Sequence, residues 1–161
     1  MKRYLMKQQW LSWGDDYAIK DEEGNEVFFV DGRALSIGDK LSFEDSEGRE
    51  LAFIAQKLFA WGPTYEIWRG DDLAAVIKKA MFTFFHCTFT VDVPGPDDLT
   101  AEGDFGDWEY VFTRGGREVA VVSKRFFTWT DTYGIEIADG EDDVLILAAV
   151  VVIDQCCHER R

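Results

Sequence analysis

Polar and apolar residues alternate along most of this chain, and the alternation fails in one place. From Val144 to Ile153 ten apolar residues follow without a break, VLILAAVVVI. Asp139, Glu141, Asp142 and Asp143 precede the run, and Asp154 ends it. A segment that is apolar all round must be buried on every side. As a helix it spans about 15 Å, half a bilayer core, too short to cross a membrane. Elsewhere, short β-branched and aromatic runs are punctuated by Gly and Asp, a strand-and-turn pattern. A helix with no polar face would therefore take its walls from sheet.

Three stretches share one pattern of strand, polar turn with Gly, and second strand: 17–30, 41–54 and 110–122. The Gly supplies the positive φ that such turns need, so these are expected hairpins. Gly48–Ile67 matches Gly116–Ile135 at an offset of 68, with nine of 20 positions identical. Chance gives about one or two at ordinary residue usage. A unit this long exceeds solenoid repeats, and two similar halves, roughly 1–95 and 96–161, are expected to close on each other. Closure leaves no sheet edge exposed. Ala80–Val93 alternates, with Phe85, Cys87, Phe89, Val91 and Val93 on one face, and Pro94-Gly95-Pro96-Asp97-Asp98 stops it.

The repeat sets Leu73–Ile77, a strand by pattern, close to Val144 onward, so the last stretch also has a strand reading. Its length and the capping residues Asp142 or Asp143 argue for helix, as do Arg160 and Arg161 at its end.

The chain has 161 residues, 47% of them hydrophobic and 15% aromatic, enough for one domain with a sizeable core. With 31 acidic and 17 basic residues, its formal charge of −14 disfavours nucleic acid and loose docking on anionic membrane. Three cysteines, Cys87, Cys156 and Cys157, make a disulfide framework unexpected and fit a reducing cytoplasm. The first ten residues lack the apolar core of a signal peptide.

Ser42-Phe43…Gly48, Gln56-Lys57-Leu58-Phe59…Tyr65, Lys78-Lys79…Phe82-Thr83 and Val144–Ile153 resemble the LURP-one-related family. That family falls in the Tubby C-terminal-like superfamily, with the phospholipid scramblases. The likeness covers nearly the whole chain and is closest to the small bacterial single-domain members. It implies a closed antiparallel barrel of about twelve strands around a central hydrophobic C-terminal helix. It also implies a non-enzymatic binding or scaffold protein with an unknown partner. The alternative is binding of a lipid headgroup or a phosphoinositide-like anion, with peripheral membrane contact. The scramblases' Pro-rich N-terminal region and palmitoylated Cys cluster have no counterpart here, since Cys156-Cys157 lies beyond the apolar run.

The candidate anion site is Lys57, Lys78, Lys79, Lys124 and Arg125, the concentrated positive charge outside the termini. The plainer reading is that these residues offset neighbouring carboxylates on outward strand faces. Trp61 and Trp129 recur through the repeat, as stacking surfaces or as packing. Cys156-Cys157-His158 with His86-Cys87 lacks zinc-ligand spacing, and the Asp-rich turns lack EF-hand spacing. No hydrolase elbow, phosphate loop, dinucleotide glycine motif or metalloprotease motif is present, and no cofactor is implied.

Overall fold

A computed structural model describes residues 1–9, 16–32, 40–57, 64–83, 86–95, 97–126 and 132–158. Its strands are β1 (Lys2–Gln9), β2 (Asp16–Lys20), β3 (Glu26–Asp31), β4 (Lys40–Asp45), β5 (Glu50–Gln56) and β6 (Thr64–Arg69). They continue as β7 (Asp72–Thr83), β8 (His86–Asp92), β9 (Leu99–Asp104), β10 (Glu109–Arg114), β11 (Arg117–Ser123) and β12 (Thr132–Ile137). Each pairs antiparallel with the next, and β1 pairs with β12, so the twelve strands form a closed barrel. The expected fold is therefore the observed one, and the duplicated stretch Gly48–Ile67 lies on β5 and β6 while its repeat lies on β11 and β12.

The three expected hairpins are β2–β3, β4–β5 and β10–β11, each with a bulge. The first two turns use one device. The Oδ1 of Asp21 accepts from Glu23 and Asn25 N–H, and that of Asp45 from Glu47 and Arg49 N–H. Gly24 and Gly48 then take φ of 87° and 82°. The sequence places a strand within Ala80–Val93; the structure starts it earlier and splits it between β7, twelve residues long, and β8. Phe89 and Val91 point inward as the alternation requires.

The apolar run is helical. The helix α1 covers Asp143–His158 and follows β12 into the lumen. Asp142 caps it, its Oδ1 accepting from Leu145 N–H at 3.2 Å. Every residue from Leu145 to Gln155 is buried, and those from Leu147 to Val152 have no exposure at all. Twelve strands about 4.8 Å apart enclose a bore of about 18 Å before tilt widens it. A helix about 10–12 Å across, plus the inward side chains of the wall, fills that space. Strand wins in Leu73–Ile77 because its neighbours complete the wall; helix wins in α1 because no wall position remains. Among the described residues no helix is long and apolar enough to cross a membrane.

Candidate functional site

The barrel has two mouths. At the near one β12 ends, β1 begins and α1 starts. Here Arg69 on β6 meets Asp142 at 2.6 Å, Arg114 on β10 meets Glu141, and Lys2 and Tyr4 on β1 meet Asp143 at 3.1 and 2.6 Å. The acidic cluster before the helix thus ties its start to three different strands. Burial, then the Asp143 hydrogen bond, holds the Tyr4 phenol well above its ordinary range.

The far mouth holds a buried polar cluster around Asp154, which is only 4% exposed. One of its oxygens accepts from the Tyr17 hydroxyl at 2.7 Å and the other from Trp108 Nε1 at 2.8 Å. Gln155 Nε2 donates to the same Tyr17 oxygen at 3.0 Å. Trp108 ends a four-residue turn between β9 and β10 with φ of 52°, unusual outside glycine. Its ring stacks on Tyr133 at 5.9 Å, and Lys124 Nζ lies 4.2 Å above it. Burial, then the Asp154 charge, pushes the phenols of Tyr110 and Tyr133 up, so both stay protonated. Chemically this is an enclosed carboxylate whose two oxygens are both engaged in anchoring α1.

The five sequence-selected basic residues are at the level of this mouth but do not converge. Lys57 directly follows β5, and Lys124 and Arg125 open a short 3-10 turn, Lys124–Phe126, after β11. β5 and β11 are six strands apart in a ring of twelve, so Lys57 and Lys124 sit on opposite walls. Consecutive strand positions send Lys78 and Lys79 to opposite faces. Lys78 stands outside, 3.7 Å from Asp92, while Lys79 Nζ lies 5.9 Å over the buried Phe89 ring. Arg125, with its side chain 88% exposed, is 3.9 Å from Glu109.

Trp61 and Trp129 lie outside the described residues, as do the side chains of His86, Cys87 and His158. Cys156 and Cys157 are half-buried and packed against the core. Among the described residues no three His, Cys, Asp or Glu side chains are grouped to hold a metal ion. Sequence reasoning missed Tyr17 and Trp108; its one available signal was Asp154 closing the apolar run.

A family model described as LURP-one-related matches residues 2–154. A Bacillus subtilis (strain 168) protein, the uncharacterised YxjI, is 35% identical over 158 residues, 98% of this chain and 95% of that protein. The X-ray structure of an Arabidopsis thaliana protein superposes with a TM-score of 0.71 at 17% identity, covering 95% of this chain and 90% of that one. At that identity the likeness speaks for the fold. With the family model spanning nearly its whole length and a close bacterial relative, this chain belongs to the LURP-one-related family.

Proposed function

We propose that the chain is a non-enzymatic binding or scaffold protein that engages its partner on the outer wall or a rim. The observation that supports this reading is the filled lumen: α1 is buried from Leu145 to Gln155, so along the described residues the helix occupies the space a substrate would need. The test pairs a broad screen of hydrolytic and transfer substrates with co-purification from cells. A saturable, stoichiometric complex without turnover supports the reading. Turnover abolished by one polar substitution overturns it.

A second reading, lipid-headgroup or phosphoinositide-like anion binding at a membrane surface, draws on Lys57, Lys79, Lys124 and Arg125 lying around one mouth. Exposed Arg125 and Lys57 would be its leading cations. Co-sedimentation with anionic vesicles at low salt tests it, because screening is weakest there. Binding lost in Lys57→Glu and Arg125→Glu supports it, and no binding at low salt overturns it.

A further inference from the structure

The inner face of the wall is sealed by α1, but part of the outer face is apolar. Strand register places Phe53 opposite Trp68 and Trp68 opposite Leu73, side by side across β5, β6 and β7. Directly opposed residues share a face. Ile54 and Ile67, the adjacent strand positions, are wholly buried in the lumen, so this row points outward. The row spans about 10 Å, two strand spacings. Leu73 is 39% exposed, Phe53 and Trp68 are half-buried, and Phe29 on β3 extends the patch beside Glu44. None of these four belongs to the buried core cluster.

Carboxylates frame this patch. Glu44 is directly opposed to Glu50, and Glu66 lies between Ala55 and Val76. Like charges directly opposed across a strand pair cost stability, so the wall maintains an unfavourable arrangement that a cation would relieve. The Ser42 hydroxyl donates to Glu50 at 2.8 Å. Glu44 and Glu66 make no hydrogen bond or ion pair among the described residues. The neighbouring cations are engaged elsewhere, Arg49 with Asp45, Arg69 with Asp142 and Lys78 with Asp92. Lys40 borders the patch by register, opposite Ala55.

We propose that this outer face of β3–β7, with Phe29, Phe53, Trp68 and Leu73 framed by Glu44, Glu50 and Glu66, docks a basic, amphipathic segment of a partner protein. The inference rests on the binding-module reading and names the partner's chemistry. Lys and Arg suit such a face twice over. Their charged heads answer the carboxylates, and their aliphatic stems and cations lie well on aromatic rings. The alternatives fit less well. Glu44 and Glu66 are two strands and four residues of register apart, about 16 Å, too far to share one metal ion. Anionic lipid or a second copy of a chain of charge −14 would be repelled.

The test is fluorescence titration of the intact protein with a labelled dodecapeptide alternating Lys and Leu. A Glu–Leu peptide of the same length serves as control. The expected result is saturable one-to-one binding of the Lys peptide alone. Trp68→Ala should weaken it about tenfold, and Glu44→Gln/Glu66→Gln should weaken it similarly and flatten its salt dependence. The double variant keeps a conservative surface, so it reports even if Trp68→Ala unfolds. Glu102→Gln/Glu118→Gln, the same charge change at exposed positions on β9 and β11, should leave binding unchanged. Equal loss in that control, or binding indifferent to the patch variants, overturns the inference while leaving the binding-module reading intact. No binding of the Lys peptide overturns it as well. Self-association abolished by Trp68→Ala would assign the face to a second copy and overturn it too. Discovery of turnover would instead remove the module reading beneath it.

Discussion

Tyr17 donates its hydroxyl hydrogen to Asp154 at 2.7 Å across 137 residues of sequence, joining the second strand to the end of the helix. The carboxylate's other oxygen takes Trp108 Nε1, so one buried side chain fixes how far α1 enters the barrel and how it is rotated. Apolar packing alone would not do this, because an all-apolar helix can slide or turn with little change in burial. A buried polar network specifies one register where packing leaves several.

Asp154→Ala should therefore destabilise strongly. It leaves the Tyr17 hydroxyl and the Trp108 N–H without their acceptor in a buried site, at about 1–3 kcal/mol each. Asp154→Asn keeps one acceptor oxygen and should lose about half as much. Urea unfolding followed by tryptophan fluorescence measures both. An alanine variant within about 0.5 kcal/mol of wild type would show that the carboxylate does not hold the helix.

The turns of β2–β3 and β4–β5 predict a response to acid. Backbone N–H groups, from Asn25 for Asp21 and from Arg49 for Asp45, lead the causes that hold both carboxyls below their ordinary value. A depressed folded-state pKa means the unfolded chain binds more protons, so stability is present above the ordinary value near 3.8. It falls as pH drops from there through the lowered folded values. Asp21→Asn/Asp45→Asn retains the acceptors but cannot titrate. Its unfolding midpoint should decline less steeply below pH 4 than that of wild type. Parallel curves would rule the turns out as contributors.

Much of this fold was legible in the chain. The hairpins announced themselves through Asp21…Gly24 and Asp45…Gly48, where a short side chain and a glycine must make the turn. The helix announced itself through Val144–Ile153, which had no polar side to show to water. The repeat carries further than the matched stretch. Its offset of 68 takes Lys40 to 108 and Lys2 to 70, next to the starts of β10 at Glu109 and β7 at Asp72. We propose on that ground that each half is six strands, with α1 appended to the second. The Pro94–Asp98 stretch then falls inside the second half, between the end of β8 and the start of β9. The basic residues are spread around the barrel for a geometric reason. Lys57 and Arg125 are equivalent at the offset of 68, and that same equivalence puts them on opposite walls. Trp108 and Tyr17 were illegible because their partner is more than forty residues away and their meeting depends on closure.

Gly103 separates a glycine required by its surroundings from one required only by its turn. It sits in β9 opposite Tyr110, with φ of 141°. A Cβ there would lie 2.5 Å from the Glu109 carbonyl oxygen and 2.7 Å from Tyr110 Cα. Neither backbone atom can move without breaking the β9–β10 pairing. Gly103→Ala should cost about 3 kcal/mol or more, and it threatens the Trp108 turn that follows. Gly48 has a positive φ, but a Cβ added there would meet nothing within 4 Å, so Gly48→Ala should cost only about 1 kcal/mol. Thermal unfolding of the two variants side by side checks the order. A Gly103→Ala protein as stable as Gly48→Ala would mean that β9 and β10 separate easily.

The near mouth gives the converse case, two arginines that look alike in sequence and differ in setting. Both Arg114 and Arg69 close a strand and pair with an acid just before α1. Glu141 is only 7% exposed at its side chain, and Arg114 also donates to the Asp97 carbonyl at 3.1 Å. Removing Arg114 strands a nearly buried carboxylate and frees the β8–β9 turn. Arg69 and Asp142 are 39% and 43% exposed, so water replaces the arginine when it is lost, and Asp142 keeps its capping bond to Leu145. Arg114→Ala should lose about 1.5–3 kcal/mol and Arg69→Ala less than about 1 kcal/mol. Added salt should erase most of the Arg69 effect and little of the Arg114 effect, because screening reaches exposed pairs first. Unfolding of both variants at low and high ionic strength decides it. Equal losses with equal salt dependence would mean that the start of the helix is held by apolar packing, with the charges incidental.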